Sequence, residues 1–204
     1  MSSTNRSNAR DTHKSDYYIT PQKHVDLFLE NFFAKVAPEF VWWDDCVALD
    51  PCAGGDTSND MPYPRALFEY GIYATTNDIR EDSPASMHKD FLYWDKPIHC
   101  IEKRKDEWKK YNLVITNPPF NIALDIIKKS LELTEDNWYV VMLLRLNFFG
   151  SKSRFDFFKD NMPNYCFIHH ERMSFTTWPT DSIEYAHFVW KKWKATDHTI
   201  TYLI

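Results

Sequence analysis

A chain of 204 residues, 44% hydrophobic and 26% charged, matches the composition of an ordinary globular protein and can bury one substantial core. A formal charge of -5 argues against a strong nonspecific grip on nucleic acid, which depends on Lys and Arg neutralising phosphates, but it leaves room for a local basic cleft. No apolar run approaches a membrane span, and the polar start MSSTNRSNARDTHKSD lacks the stretch that a signal peptide needs, so a cytoplasmic protein with no membrane partner is expected.

Residues 1–16 read as a polar, mobile tail, and residues 17–204 as a single domain. Thr20-Pro21 has the form of a helix N-cap followed by proline at the first helical position. Val25, Phe28, Leu29, Phe32, Phe33 and Val36 then recur at helical spacing. The short apolar run from Cys46 to Leu49 reads as a buried strand stopped by Asp50-Pro51-Cys52-Ala53-Gly54-Gly55. A second strand is expected over residues 72–75, ending at Asn77-Asp78, and the charged segment 102–110 as an exposed helix or loop. Residues 112–116 (NLVIT) form a clear strand that runs into Asn117-Pro118-Pro119-Phe120, and Ile122, Ile126, Ile127 and Leu131 mark the helix after it. Further strands are expected over 138–144, 165–168 and 185–190, with a helix-like segment around Phe155 and Phe158. This alternation predicts α/β architecture with a mainly parallel sheet.

In such a sheet, ligands bind beyond the carboxyl ends of the strands, and a glycine turn lets the backbone approach them closely. The turn at Gly54-Gly55 supplies that feature, and Asp78, at the end of the next strand, is placed to hold ribose hydroxyls. Taken alone, the glycine turn is weak evidence. The stronger feature is Asn117-Pro118-Pro119-Phe120. Two prolines fix φ and donate no hydrogen bond, so the Asn117 side-chain carbonyl and the Pro118 backbone carbonyl become two acceptors aimed at one point. An exocyclic NH2 can fill both, which turns its lone pair toward an electrophile, while Phe120 offers a flat face to a ring.

On these residues the chain resembles the class I S-adenosylmethionine-dependent amino-methyltransferases, and most closely the short, phage-type DNA N6-adenine methyltransferases, from about Tyr17 to Lys192. The resemblance implies a Rossmann-like fold with a doubly wound, mainly parallel seven-stranded sheet and helices on both faces. It implies S-adenosylmethionine as cofactor, held by Tyr18, Thr20 and Pro21, by Asp50, Pro51, Cys52, Ala53 and Gly54, by Asp78 and Ile79, by Asp90 and Phe91, and by Asn117. It assigns catalysis to Asn117, Pro118, Pro119 and Phe120, with the adenine flipped out of duplex or single-stranded DNA. The late segments Leu143 to Leu146, with Phe149, Ser151 and Arg154, Arg172 to Phe175, and Tyr185 to Trp190, look like the family's last strands. The turn carries Gly54-Gly55-Asp56 where many relatives place another residue between two glycines. No block is large enough to be a separate target-recognition domain, so either sequence selectivity is low or it comes from short loops, the tail, a homodimer or a partner subunit.

Other groupings point elsewhere. Cys46, Cys52, Cys100 and Cys166 are scattered and read as reduced thiols, and adjacent His169-His170 on a strand would face opposite ways, so no metal is expected. The segment Thr176 to Asp181 reads as a surface loop near the rim that carries the tetrad, and the cations from Arg145 onward place any phosphate-facing surface in the C-terminal half. The same acceptor pair could hold adenine in RNA or a glutamine amide in a protein, and a catalytically silent subunit of a methyltransferase complex is the reading of a different class.

Overall fold

The run Tyr139, Val140, Val141, Met142, Leu143, Leu144 is buried at every position, as expected of a strand with both faces covered. In the computed structural model, which describes residues 19–42, 46–97, 110–175 and 183–204, it lies at the centre of a seven-stranded sheet. The strands are β1 (Ala48–Asp50), β2 (Ala74–Thr76), β3 (Tyr111–Thr116), β4 (Thr134–Arg145), β5 (Tyr165–Ile168), β6 (Tyr185–Lys191) and β7 (Ile200–Leu203). Their order is β2-β1-β3-β4-β6-β5-β7, and β6 alone runs against the others.

Alternate residues of the inner strands feed two cores. On one face, α1 (Gln22–Lys35) and α2 (Pro62–Phe68) pack Phe28, Phe32, Tyr63 and Leu67 onto Ala48, Leu113, Ile115, Val141 and Val189. On the other, α3 (Ala123–Leu133) and α4 (Phe155–Asp160) pack Ile126, Ile127 and Phe158 onto Leu49, Val114, Val140, Met142 and Phe188. The doubly wound architecture expected from the sequence is therefore present.

Several details differ from that reading. Helix α1 begins at Gln22 with Pro21 at its N-cap, and no side chain caps it. The Thr20 hydroxyl is used elsewhere. Strand β4 starts at Thr134, ahead of the apolar run, and shifts register against β3 between Tyr111 and Leu113. The seventh strand is β7, which pairs in parallel with β5 at the sheet edge. Segment 83–90 lies beside β2 through one parallel bridge, Asn77 with Met87. Among the described residues, no helix is long and apolar enough to cross a membrane.

Candidate active site

Strands β1, β2, β3 and β4 are parallel, so Asp50, Asp78, Asn117 and Arg145 all emerge at one rim of the sheet. From β1 the chain runs outward to β2 and returns on the other side as β3, which makes the rim between β1 and β3 the switch point where open α/β sheets take ligands.

The turn after β1 is built on two glycines in the left-handed region, Gly54 at φ 67° and Gly55 at φ 75°. A Cβ at Gly55 would also come within 2.9 Å of Met61 Cγ and Pro84 Cγ. The Gly54 N–H donates to Asp78 Oδ2 at 2.8 Å, and the Ser83 hydroxyl donates to the Gly54 carbonyl. Asp78 Oδ1 accepts from the Arg80 N–H at 2.9 Å and from Arg80 Nε at 3.2 Å, while Arg80 Nη2 donates to the Gly55 carbonyl at 2.7 Å. Asp78 Oδ1 thus has both lone pairs engaged, while Oδ2, with one donor, keeps a lone pair for an incoming hydroxyl. Arg80, invisible to motif reading, locks this carboxylate to the turn.

Asn77 does similar work. It is buried, its Nδ2 donates to the carbonyls of Pro51 and Lys89 at 3.0 and 2.9 Å, and its Oδ1 accepts from the Lys89 N–H. Its backbone receives the Ala53 N–H and donates to the Asp50 carbonyl. Pro51, Ala53 and segment 83–90 are fixed to β2 in this way.

Asp50 is fully buried, and its Oδ2 has no hydrogen-bond partner among the described residues. Burial pushes its carboxyl up to about 8, with Asp78 adding to the rise and Thr116 and the Cys52 N–H holding it back. Burial, followed by the nearby carboxylates of Asp50 and Asp78, raises the Cys52 thiol far above its ordinary range, and Asp90 contributes to the same effect. Asp50, Asp78 and Asp90 therefore converge around Cys52. Asp90 is exposed and its Oδ1 caps a short 3-10 turn by accepting the Leu92 N–H, whereas Phe91 is a core residue packed edge-on to Trp94. Ile79 stands 46% exposed beside Asp78, a large apolar side chain left at the rim.

At the end of β3, Asn117 Nδ2 donates to Thr20 Oγ1 at 3.0 Å. With its amide nitrogen spoken for, the Asn117 Oδ1 points its lone pairs elsewhere, and neither it nor the Pro118 carbonyl accepts a hydrogen bond among the described residues. Phe120 packs against Leu143, Met173 and Tyr185, and the Arg145 guanidinium carbon lies 4.4 Å from its ring centroid. Pro119 closes the turn by accepting the Ile122 N–H ahead of α3. Thr20 is 3% exposed and joined to Asn117 by that hydrogen bond, and Pro21 after it leads into α1. Tyr18, segment 102–109, Cys100 and the loop from Thr176 to Asp181 lie outside the described residues. Also among the described residues, no group of three His, Cys, Asp or Glu could hold a metal ion.

No protein-family model and no curated protein sequence matches the chain. Solved structures do. A Listeria monocytogenes protein described as a candidate class I S-adenosylmethionine-dependent methyltransferase superposes with a TM-score of 0.56 at 15% identity, over 91% of this chain and 65% of that one. The modification subunit of a candidate type I restriction enzyme from Vibrio vulnificus gives 0.59 at 12% identity, over 95% of this chain and 48% of that one. The type IIG restriction endonuclease BpuSI gives 0.59 at 13% identity, over 90% of this chain and 26% of that one. The chain spans less than two thirds of the length of each. The likeness establishes the class I methyltransferase fold.

Proposed function

We propose that this protein is an S-adenosylmethionine-dependent methyltransferase whose acceptor is an exocyclic amino nitrogen, adenine N6 in DNA. The observation that carries the proposal is the pair of unengaged acceptors, Asn117 Oδ1 and Pro118 O, beside Phe120 at the switch point. Two acceptors at one point match two N–H donors on one nitrogen.

The residues around the glycine turn fit the cofactor. The orphaned Oδ2 of buried Asp50 suits an ammonium group, Asp78 suits ribose hydroxyls, and exposed Ile79 suits the face of an adenine. When bound, the cofactor supplies an electrophilic methyl carbon on a sulfonium, so the chain's part is alignment rather than activation. Thr20 holds the Asn117 amide in the orientation that presents its oxygen, and Pro118 and Pro119 hold the second acceptor rigid. Phe120 bears the ring of the target base, which must leave the stack at a cost of a few kcal/mol. In this reading residues 17–204 are one catalytic domain, and sequence selectivity comes from rim loops, a second copy or a partner subunit. The larger restriction proteins named above support DNA as the substrate class.

The test is incubation with methyl-deuterated S-adenosylmethionine and a mixture of duplex DNA, single-stranded DNA and RNA, followed by digestion and mass spectrometry of nucleosides. Labelled N6-methyladenine from DNA is the expected product. Label confined to RNA, or none in any nucleoside, overturns the DNA assignment.

A further inference from the structure

We infer that Arg145 anchors the substrate by a backbone phosphate next to the target base, an inference that rests on the nucleic-acid reading above. Arg145 ends β4, pairs across the sheet with Tyr185, and stacks its guanidinium on Phe120 at 4.4 Å. Its Nε is buried and has no hydrogen-bond partner among the described residues, and no described carboxylate forms an ion pair with it.

Other cations differ in this respect. Arg154 makes the same kind of stack, 4.2 Å over Phe148, but its Nε donates to the Phe148 carbonyl at 2.7 Å. Arg172 pairs with Glu184 at 3.3 Å and Lys23 with Glu171 at 2.6 Å. Arg145 is therefore a permanent cation whose donor fork has no partner among the described residues, held beside the ring that would carry the base. A guanidinium takes phosphate oxygens in a bidentate fashion, and a phosphodiester adjoins every nucleotide. A neutral protein amide brings no such anion.

Fluorescence anisotropy with a labelled, adenine-containing single-stranded oligodeoxynucleotide tests this, with sodium chloride varied between about 50 and 200 mM, the range over which phosphate contacts show their salt dependence. Relative to the unaltered protein, Arg145→Gln should weaken binding on the order of 10-fold, the usual scale for losing a charged hydrogen bond. It should also flatten the log–log salt slope by about 0.7, the share of one phosphate contact to a single strand. Arg145→Lys should keep most of that slope, and calorimetry should give all three proteins the same S-adenosylmethionine affinity. An unchanged slope in Arg145→Gln, a parallel loss of cofactor affinity, or no oligonucleotide binding by the unaltered protein overturns the assignment. If Arg145→Gln behaves as expected while no nucleoside acquires label, the anchor stands and the assigned reaction falls.

Discussion

Replacing Asp50 by Asn should make the cofactor-free protein more stable and a poorer binder of S-adenosylmethionine. Asp50 is 0% exposed and its carboxyl is pushed from 3.8 to about 8. The folded state therefore holds a proton that the unfolded chain releases. Stability from this group is complete below about pH 4 and is lost as pH rises through 8. A shift of about four units bounds the loss at roughly 5 kcal/mol, and relaxation or water entry brings a working value nearer ~2 kcal/mol. For a chain of this size that is about 4–8 °C in Tm. The new amide keeps the carboxyl's shape and can donate to the Thr116 hydroxyl that lies against Asp50. Calorimetric scans of the cofactor-free proteins should coincide near pH 4 and diverge in favour of Asp50→Asn by pH 8.5, while titration at pH 8.5 shows the variant binding cofactor at least 10-fold more weakly, the worth of one charged hydrogen bond. Equal Tm values at pH 8.5 would refute the reasoning, because they would mean that the Asp50 carboxylate is already solvated or paired.

Thr20→Val removes the hydrogen bond that orients Asn117, at a cost of ~1–3 kcal/mol; kcat should fall about 5- to 100-fold with cofactor affinity unchanged, and an unaltered kcat sinks the positioning role. Asp78→Ala should weaken cofactor binding before it affects turnover of saturated enzyme, as read by calorimetry beside kcat, and unchanged affinity removes Asp78 from the cofactor site. Acid should destabilise the protein from pH 6.5 downward. His24, His169 and His187 are buried, and burial lowers all three, His169 to about 3, so each takes up a proton on unfolding, against the single opposing proton of Asp50. Near pH 5 the net approaches two protons, or up to ~3 kcal/mol lost per pH unit, and it shrinks to about half a proton at pH 6.5, so the Tm should fall with increasing steepness from pH 6.5 to 5, and a flat profile there contradicts it.

The parts of the site that could be read from the sequence are those whose function and local conformation share one signature. Gly54 and Gly55 are glycine because the turn needs positive φ, and Pro118 and Pro119 fix φ in the stretch that carries the two proposed acceptors. What could not be read depends on contacts between distant segments. Thr20 looks like a helix cap and has cap chemistry, but its hydroxyl serves a side chain 97 residues away. Arg80 and Asn77 sit in a stretch of polar residues without a motif, and only the fold gives them their distant partners, the Gly55 carbonyl for Arg80 and the Pro51 and Lys89 carbonyls for Asn77. Helix α2 escapes a periodicity reading because Pro62 and Pro64 fall in its first turn, where proline costs no helical hydrogen bond. Strand β7 alternates weakly at a sheet edge, with Ile200 and Leu203 exposed, so its residues carry no core pattern.

The side chain of Asn77 gives the rim an uneven mechanical character. Because one amide ties the turn after β1, the end of β2 and the approach to Asp90 together, that half of the rim moves as a unit and has no internal hinge. On the opposite half, strand pairing holds Arg145 and Tyr185 together, but Phe120 meets both only through its ring faces and edges, contacts that can slide without breaking a directional bond. In the site as proposed, adjustment to differently shaped guests belongs to the Phe120 side, and the Asp50 and Asp78 side is a preformed mould.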